Sequence, residues 1–369
     1  MTIQKIGNGT QTIVADKADT TYQMAASRTL TTTTYGISVQ GLAENRILDI
    51  DGKIDATFAA ITIGSAGDTA PVTVDIGKTA RLTSDDYALN IEGRDNVIRN
   101  AGHIHGTMGG IETYGAQTVI NTGSISGTSY GINIHAGDGD TVIIRNSGTI
   151  SGGTIAVYGA ATDDLVTNTG KIKGDVTLGG GDDTFYFKAG SVDGIVRGGW
   201  DNDTYYIRKS GLDIVENADE GTDLIQSWIS HKLEDNVEVL FLRGHKNIDG
   251  TGSAGYNQIV GNAGKNRIDG GAGMDSLNGG KGNDVLTGGS EADEFVFQLN
   301  SGRDTVTDFV SGVDRMEMDY LKGAKDFTDM IDNHTEMKHG DTIITYGQDT
   351  LVLKDVDADQ LVKADFFFY

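Results

Sequence analysis

The chain has 369 residues with 53 glycines, one proline and no cysteine. That excludes disulfides, zinc–thiolate and iron–sulfur sites and thiol nucleophiles, and it fits neither a collagen nor a proline-rich disordered chain. The formal charge is −24 and uneven: residues 1–177 hold 18 acidic and 12 basic side chains, residues 178–369 hold 35 and 17. This asymmetry speaks against nucleic acid and anionic membranes as partners and for cations. No apolar window reaches membrane-spanning length, so neither membrane insertion nor an N-terminal signal peptide is expected. Abundant Gly, Thr, Ile and Val predict many short strands joined by tight turns and no long helices.

In chain order, residues 1–34 are expected to cap the N-terminal end. Residues 35–177 then repeat. Asn100-Ala101-Gly102-His103-Ile104-His105-Gly106 recurs from Asn121, Asn146 and Asn168, at offsets of 21, 25 and 22 residues. Between the blocks lie stretches with a period of two, such as Tyr87–Ile91, Gly110–Tyr114 and Tyr130–Ile134. Rungs of about 22 residues holding two or three strands define a parallel β-helix, stacked at ~4.8 Å. Ile104, Ile125, Ile150 and Ile172 are expected to form an internal apolar column. Asn100, Asn121, Asn146 and Asn168 are expected to form a second, with side-chain amides hydrogen-bonded along it. This Asn-x-Gly-x-Ile-x-Gly block resembles the passenger helices of bacterial autotransporter adhesins.

In residues 178–369 the period falls to nine. From Gly252 the chain divides without a gap into GSAGYNQIV, GNAGKNRID, GGAGMDSLN, GGKGNDVLT and GGSEADEFV, with degenerate units around Asp183 and Asp203. Six residues of each unit form a turn and three a strand, so two units make one turn of a flattened roll. Position eight (Ile259, Ile268, Leu277, Leu286, then Phe295 or Val296) points inward. Position six (Asn257, Asn266, Asp275, Asp284, Asp293) supplies side-chain oxygen beside loop carbonyls. A cage of six to eight such oxygens at ~2.3–2.6 Å suits calcium better than magnesium. Asn257 and Asn266 lack charge and Glu291 stands where glycine is expected, so the sites at Asp275, Asp284 and Asp293 are favoured.

These repeats are similar to those of the RTX (hemolysin-type calcium-binding repeat) exoproteins. The resemblance implies several calcium ions, carbonyl ligands from Gly270, Ala272, Gly279, Lys281, Gly288 and Ser290, and further ions at Asp183 and Asp203, with Glu216, Glu220 and Asp223 nearby. It also implies a C-terminal β-sandwich cap. The ending Asp365-Phe366-Phe367-Phe368-Tyr369 is similar to an uncleaved type I secretion signal. The expected fold is thus all-β: a right-handed parallel β-helix continuing into a calcium-binding parallel β-roll with its cap. The expected location is extracellular or on the cell surface, and the expected partners are calcium, the type I secretion machinery and a cell-surface or matrix polysaccharide.

The C-terminal module does not select an activity. No His-Glu-x-x-His run is present, and neither a zinc protease nor a lipase elbow is expected. The favoured expectation is a non-enzymatic binding or attachment surface on the β-helix. The alternative is a polysaccharide lyase or C5-epimerase in which Tyr114 or His135 moves the proton, with Glu112 beside them. Gln40, Glu92, Tyr114, His135 and Tyr158 are expected in one solvent-facing column, with His103 and His105 on the adjoining strand.

Overall fold

The computed structural model describes residues 2–40, 46–64, 70–135, 140–319 and 326–368; Tyr369 lies outside them. The chain divides into two compact units, Met1–Thr204 with Gly211–Val215, and Tyr205–Ser210 with Glu216–Tyr369. Both are parallel β-solenoids. The division falls near 204–216, beyond the border at 177 that the change of repeat period suggests.

In the first unit each rung contributes three strands, as in Asn96–Asn100, His103–Gly106 and Gly109–Thr113. Every second side chain turns inward, and rung after rung meets in register: Ile104 opposite Ile125, Ile125 opposite Ile150, Ile150 opposite Ile172. All four isoleucines are fully buried, as the column requires. Residues 1–34 do not form a separate cap. Their strands Thr2–Ile6, Ile13–Ala15, Thr20–Met24 and Thr29–Thr32 already pair in parallel with Thr20–Met24, Tyr35–Val39, Arg46–Ile50 and Lys53–Ala56. These threonine-rich rungs lack the Asn-x-Gly block, which hides their kinship to the later ones.

The asparagine column is present and continuous. Asn100 Nδ2 donates to Asn121 Oδ1 (2.8 Å), Asn121 to Asn146 (2.8 Å), and Asn146 to Asn168 (2.9 Å). Each of these amides also donates to a backbone carbonyl across the corner: Ser124, Thr149, Lys171 and, from Asn168, Ser191. The ladder ends where Ile76 and Phe187 replace asparagine.

In the second unit the nonapeptides pair at an offset of eighteen residues, two units per turn: Ile259 with Leu277, Leu277 with Phe295, and on the facing sheet Ile268 with Leu286. All five are buried, and Phe295 rather than half-exposed Val296 fills the last inward position. The C-terminal cap is a mixed sheet. Asp349–Leu353 pairs in parallel with Arg303–Val306, and Thr335–Lys338, Asp341–Tyr346 and Asp349–Leu353 run antiparallel. The aromatic ending is a strand, Phe366–Phe368, paired in parallel with Arg315–Asp319. Phe366 packs against Phe309 and Phe327, and buried Asp365 accepts from Ser311 Oγ and the Gly312 amide.

Candidate calcium centre

One backbone pattern recurs before six aspartates. The residues four and two positions ahead are left-handed: Gly179 and Gly181 before Asp183, Gly199 and Asp201 before Asp203, Gly271 and Gly273 before Asp275, Gly280 and Gly282 before Asp284, Gly289 and Glu291 before Asp293, Asn300 and Gly302 before Asp304. Left-handed residues two apart bend the chain tightly, and a tight glycine-rich loop can bring main-chain carbonyls to one cation. Glycine supplies this conformation at no steric cost; Glu291, at φ 77°, adopts it with a side chain. Its carboxylate accepts from the Gly273 amide at 2.5 Å, one turn back.

The carboxylates form ladders. Within the second unit the backbone amide of Asn257 donates to Asp275 Oδ1 (2.8 Å), that of Asp275 to Asp293 (2.9 Å), and that of Asp293 to Asp314 (3.0 Å). In the other column Asn266 donates to Asp284 (2.7 Å) and Asp284 to Asp304 (3.0 Å). Within the first unit Asp164 and Asp183 donate to Asp183 and Asp203. The second oxygen is different. Oδ2 of Asp183, Asp275 and Asp284 is buried with no hydrogen-bond partner, a state that costs ~1–3 kcal/mol or more for a charged group.

At Asp275 and Asp284 the free oxygen lies over the glycine at position one of its own turn. A Cβ on Gly279 would stand 2.7 Å from Asp284 Oδ2, and one on Gly270 would run into Asp275 Oδ2 while standing 2.6 Å from the Gly288 carbonyl. A Cβ on Gly288 would likewise meet Asp293 Oδ2. The glycine at position one thus keeps open a space lined by carboxylate and carbonyl oxygen, the donor chemistry of a hard dication. Of the position-three residues, Ala272 and Ser290 pair across adjacent strands and Lys281 donates its amide to the Asn262 carbonyl.

The two asparagine turns are built otherwise. Asn257 Oδ1 accepts from the Ser253 amide (2.7 Å) and its Nδ2 donates to the Val237 carbonyl (3.0 Å). Asn266 accepts from the Asn262 amide and donates to the Ile248 carbonyl. Neither turn has left-handed residues at the two positions. An amide, with a donor of its own, closes the loop without an ion; a carboxylate cannot.

Burial dominates the electrostatics. It pushes the carboxyl of Asp275 up to about 7, helped by Asp293 and Glu291, that of Asp284 up to about 6, that of Asp293 up to about 6, and that of Asp183 up to about 10. Burial thus opposes ionisation of all four groups, and a bound dication would favour it.

Asp304 belongs to the same set, although the repeat pattern does not reveal it. Burial raises its carboxyl to about 7, and its turn has the same handedness. The spacing from Asp284 is 20 residues instead of 18, so the nonapeptide frame passes over it. Asp314 extends the other column at 21 residues, but its Oδ2 already accepts from the Val310 amide. Of the remaining acids, Glu216 accepts from the Tyr205 hydroxyl and Glu220 from Asn217, while the Asp223 amide donates to Glu238.

On the first unit, Tyr114 stacks on His135 with centroids 4.8 Å apart. His135 Nε2 lies 3.2 Å from Glu112 Oε1 and 2.8 Å from Asn133 Nδ2. Glu112 also accepts from Asn90 (2.9 Å), and Asn133 donates to the Tyr87 hydroxyl (2.8 Å). Burial first, then Tyr114's own neighbours, perturb this group: the Glu112 carboxyl is raised by burial, and the Tyr114 hydroxyl by burial and by Glu112. The Tyr87 ring lies across Gly109, where a Cβ would collide with it. Tyr158 is not in this column. The 25-residue offset that pairs Ile125 with Ile150 persists, so Tyr158 falls opposite Asn133 and packs on Tyr130 at 5.8 Å. His103 and His105 contact Ser124 and Ser126 on the next rung.

Gly127-Thr128-Ser129-Tyr130-Gly131 does spell Gly-x-Ser-x-Gly, which the expectation of no lipase elbow passed over. Its setting is wrong for one. Ser129 sits in a turn between strands Ser124–Gly127 and Tyr130–Ile134, whereas an elbow joins a strand to a helix.

Residues 251–275 and 269–297 match the family model of the RTX calcium-binding nonapeptide repeat. A search of the curated proteins found no match. Among solved structures, the crystal structure of the extracellular lipase LipA from Serratia marcescens is similar over 65% of this chain at 16% identity and a TM-score of 0.31. This chain spans 41% of that protein's length, and so distant a likeness carries no argument about activity. The chain therefore carries RTX calcium-binding repeats on a parallel β-solenoid.

Proposed function

We propose that this is a secreted RTX protein that folds its repeat region around several calcium ions outside the cell and presents its β-helix as a binding or surface-attachment module. The observation that carries the calcium part is the buried, unpartnered carboxylate oxygen of Asp275 over Gly270 and of Asp284 over Gly279. In this reading Asp183, Asp203, Asp275, Asp284, Asp293 and Asp304 supply carboxylate, and Gly270, Ala272, Gly279, Lys281, Gly288 and Ser290 supply carbonyls. Calcium would screen the crowded acids and permit the compact state. Where calcium is scarce, the excess charge of residues 178–369 keeps that half expanded and suited to export through a type I machinery. With affinities of ~10⁻⁴–10⁻³ M and calcium several times higher, each site adds roughly 1 kcal/mol by mass action. Circular dichroism of the full chain tests it: a β signal that is the same with excess chelator and with millimolar calcium would refute calcium-driven folding.

For the β-helix, the exposed face around Glu92, Glu112, Tyr114 and His135 is the contact surface for a cell-surface or matrix glycan. A second reading rests on one observation, the contact of Glu112 with His135 beneath the Tyr114 ring. That arrangement of acid, imidazole and phenol suits proton abstraction beside a carboxylate, as in a uronan lyase or C5-epimerase. Incubation with alginate and pectate, following unsaturated product by absorbance and C5 inversion by NMR, separates the two. Turnover lost in Tyr114→Phe or His135→Ala favours the enzyme; binding without turnover favours attachment.

A further inference from the structure

We propose that a second ligand surface lies on the second unit, built for a sugar chain that bears carboxylate or sulfate groups. Three segments supply it. The Trp228 amide donates to the Ile207 carbonyl (2.9 Å) and the Arg243 amide to the Ser227 carbonyl (2.7 Å), so Arg208, Trp228 and Arg243 stand in one row across neighbouring strands. Because Ile207, Ser227 and Leu242, just before them, are buried, this row turns outward. Tyr206, Gln226 and Phe241 form the outward row beside it.

The side chains are arranged to hold guanidinium groups flat. The Arg208 guanidinium lies 3.9 Å over the Trp228 ring, and Tyr206 stacks on the same indole at 6.4 Å. The Arg243 guanidinium lies 4.9 Å over Phe241, and its Nε donates to Gln226 Oε1 at 2.9 Å. Among the described residues, neither arginine forms an ion pair with a carboxylate. A guanidinium fixed on a ring loses little freedom on binding, and its remaining N–H groups can grip an oxyanion in two-pronged fashion. The half-buried faces of Tyr206, Trp228 and Phe241 offer the apolar contact that the C–H side of a sugar ring requires.

Local charge points the same way. Residues 205–210, 224–232 and 239–246 hold five Lys or Arg and two His but no Asp or Glu, within a region where acids outnumber bases 35 to 17. A positive island in an acidic surface attracts an anion of limited charge density, while the surrounding acids repel a densely charged polyphosphate. The surface is independent of the β-helix face and of the calcium turns.

The test uses the full chain at fixed free calcium with Trp200→Phe, which leaves Trp228 as the only indole. Its fluorescence is titrated with oligogalacturonate, a heparin-derived oligosaccharide, a neutral cello-oligosaccharide and a single-stranded oligonucleotide. A saturable change with the carboxylated or the sulfated sugar is expected, and which of them responds identifies the anionic group. Arg208→Gln with Arg243→Gln should weaken that binding on the order of tenfold or more, with the calcium-induced circular dichroism unchanged. The proposal is overturned if neither anionic sugar gives a saturable change, if the neutral sugar or the oligonucleotide binds as tightly, or if the double variant binds like its parent.

Discussion

Replacing Asn121 by alanine removes the centre of the asparagine ladder without touching the strand pairing around it. Asn121 accepts from Asn100 and donates to both Asn146 and the Thr149 carbonyl, and it is completely buried. Three hydrogen bonds disappear, at about 1 kcal/mol net each. Asn100 keeps its bond to the Ser124 carbonyl, but Asn146 Oδ1 and the Thr149 carbonyl each lose a donor inside a dry corner. Counting the stranded Asn146 oxygen, the expected loss is about 3–5 kcal/mol. Asn121→Asp should cost at least as much at neutral pH, because a carboxylate accepts from Asn100 but has nothing to donate to Asn146 or Thr149. Urea unfolding at fixed calcium, followed by circular dichroism, measures the difference, with Thr118→Ala on the outward side of the same strand as the control. If Asn121→Ala costs under about 1 kcal/mol, no more than the control, the ladder does not hold the rungs together in the way its geometry implies.

Removal of one buried charge should have opposite effects with and without metal: Asp275→Asn is expected to raise the chelated protein's melting temperature and to reduce the further rise produced by calcium, both read by scanning calorimetry. Gly279→Ala fills the space beneath Asp284 Oδ2, so the number of ions bound in a calorimetric calcium titration should fall by one or the weakest site should weaken at least about tenfold. The chelated protein should also be less stable at pH 8 than at pH 5. Carboxyls raised to about 7 at Asp275 and about 6 at Asp284 and Asp293 hold protons in the native state that the unfolded chain, near 3.8, has released. Their contribution is complete below the unfolded value and disappears as pH rises through 6–7; urea midpoints that increase from pH 5 to pH 8 in chelator would contradict this.

The repeats made the architecture legible because a solenoid repeats its physics along with its letters. An isoleucine recurring at one place in successive rungs has to stack, and an asparagine at a corner has to find a partner for its amide; both columns appear where the periods place them. What escaped depended on loop length. A two-residue expansion before Asp304 breaks the nonapeptide frame while leaving the turn's handedness intact, and handedness is a property of φ that letters such as Asn300 and Gly302 only permit. The N-terminal rungs escaped for the converse reason. Their strand pairing needs only alternation, and threonine supplies that without the glycine and asparagine that mark a corner. The row of Arg208, Trp228 and Arg243 left no trace as a motif, since its members are 20 and 15 residues apart and meet only through strand register.

Asparagine and aspartate at one repeat position divide the calcium turns into two kinds. The difference between them is a single donor. Asn257 and Asn266 use their amide nitrogen to tie the loop to a carbonyl of an earlier turn, and the loop then needs no left-handed residues. Asp275 and Asp284 have no such donor, so the same place in the fold leaves an oxygen buried and idle, and the residues four and two places ahead of it are left-handed. One kind of turn is satisfied by the protein's own groups; the other leaves a carboxylate oxygen without a partner. The nonapeptide run from Gly252 begins with two asparagine turns and continues with aspartate turns, so under the proposed calcium-driven folding its first part would form before calcium arrives and give a starting edge on which parallel pairing grows one turn at a time.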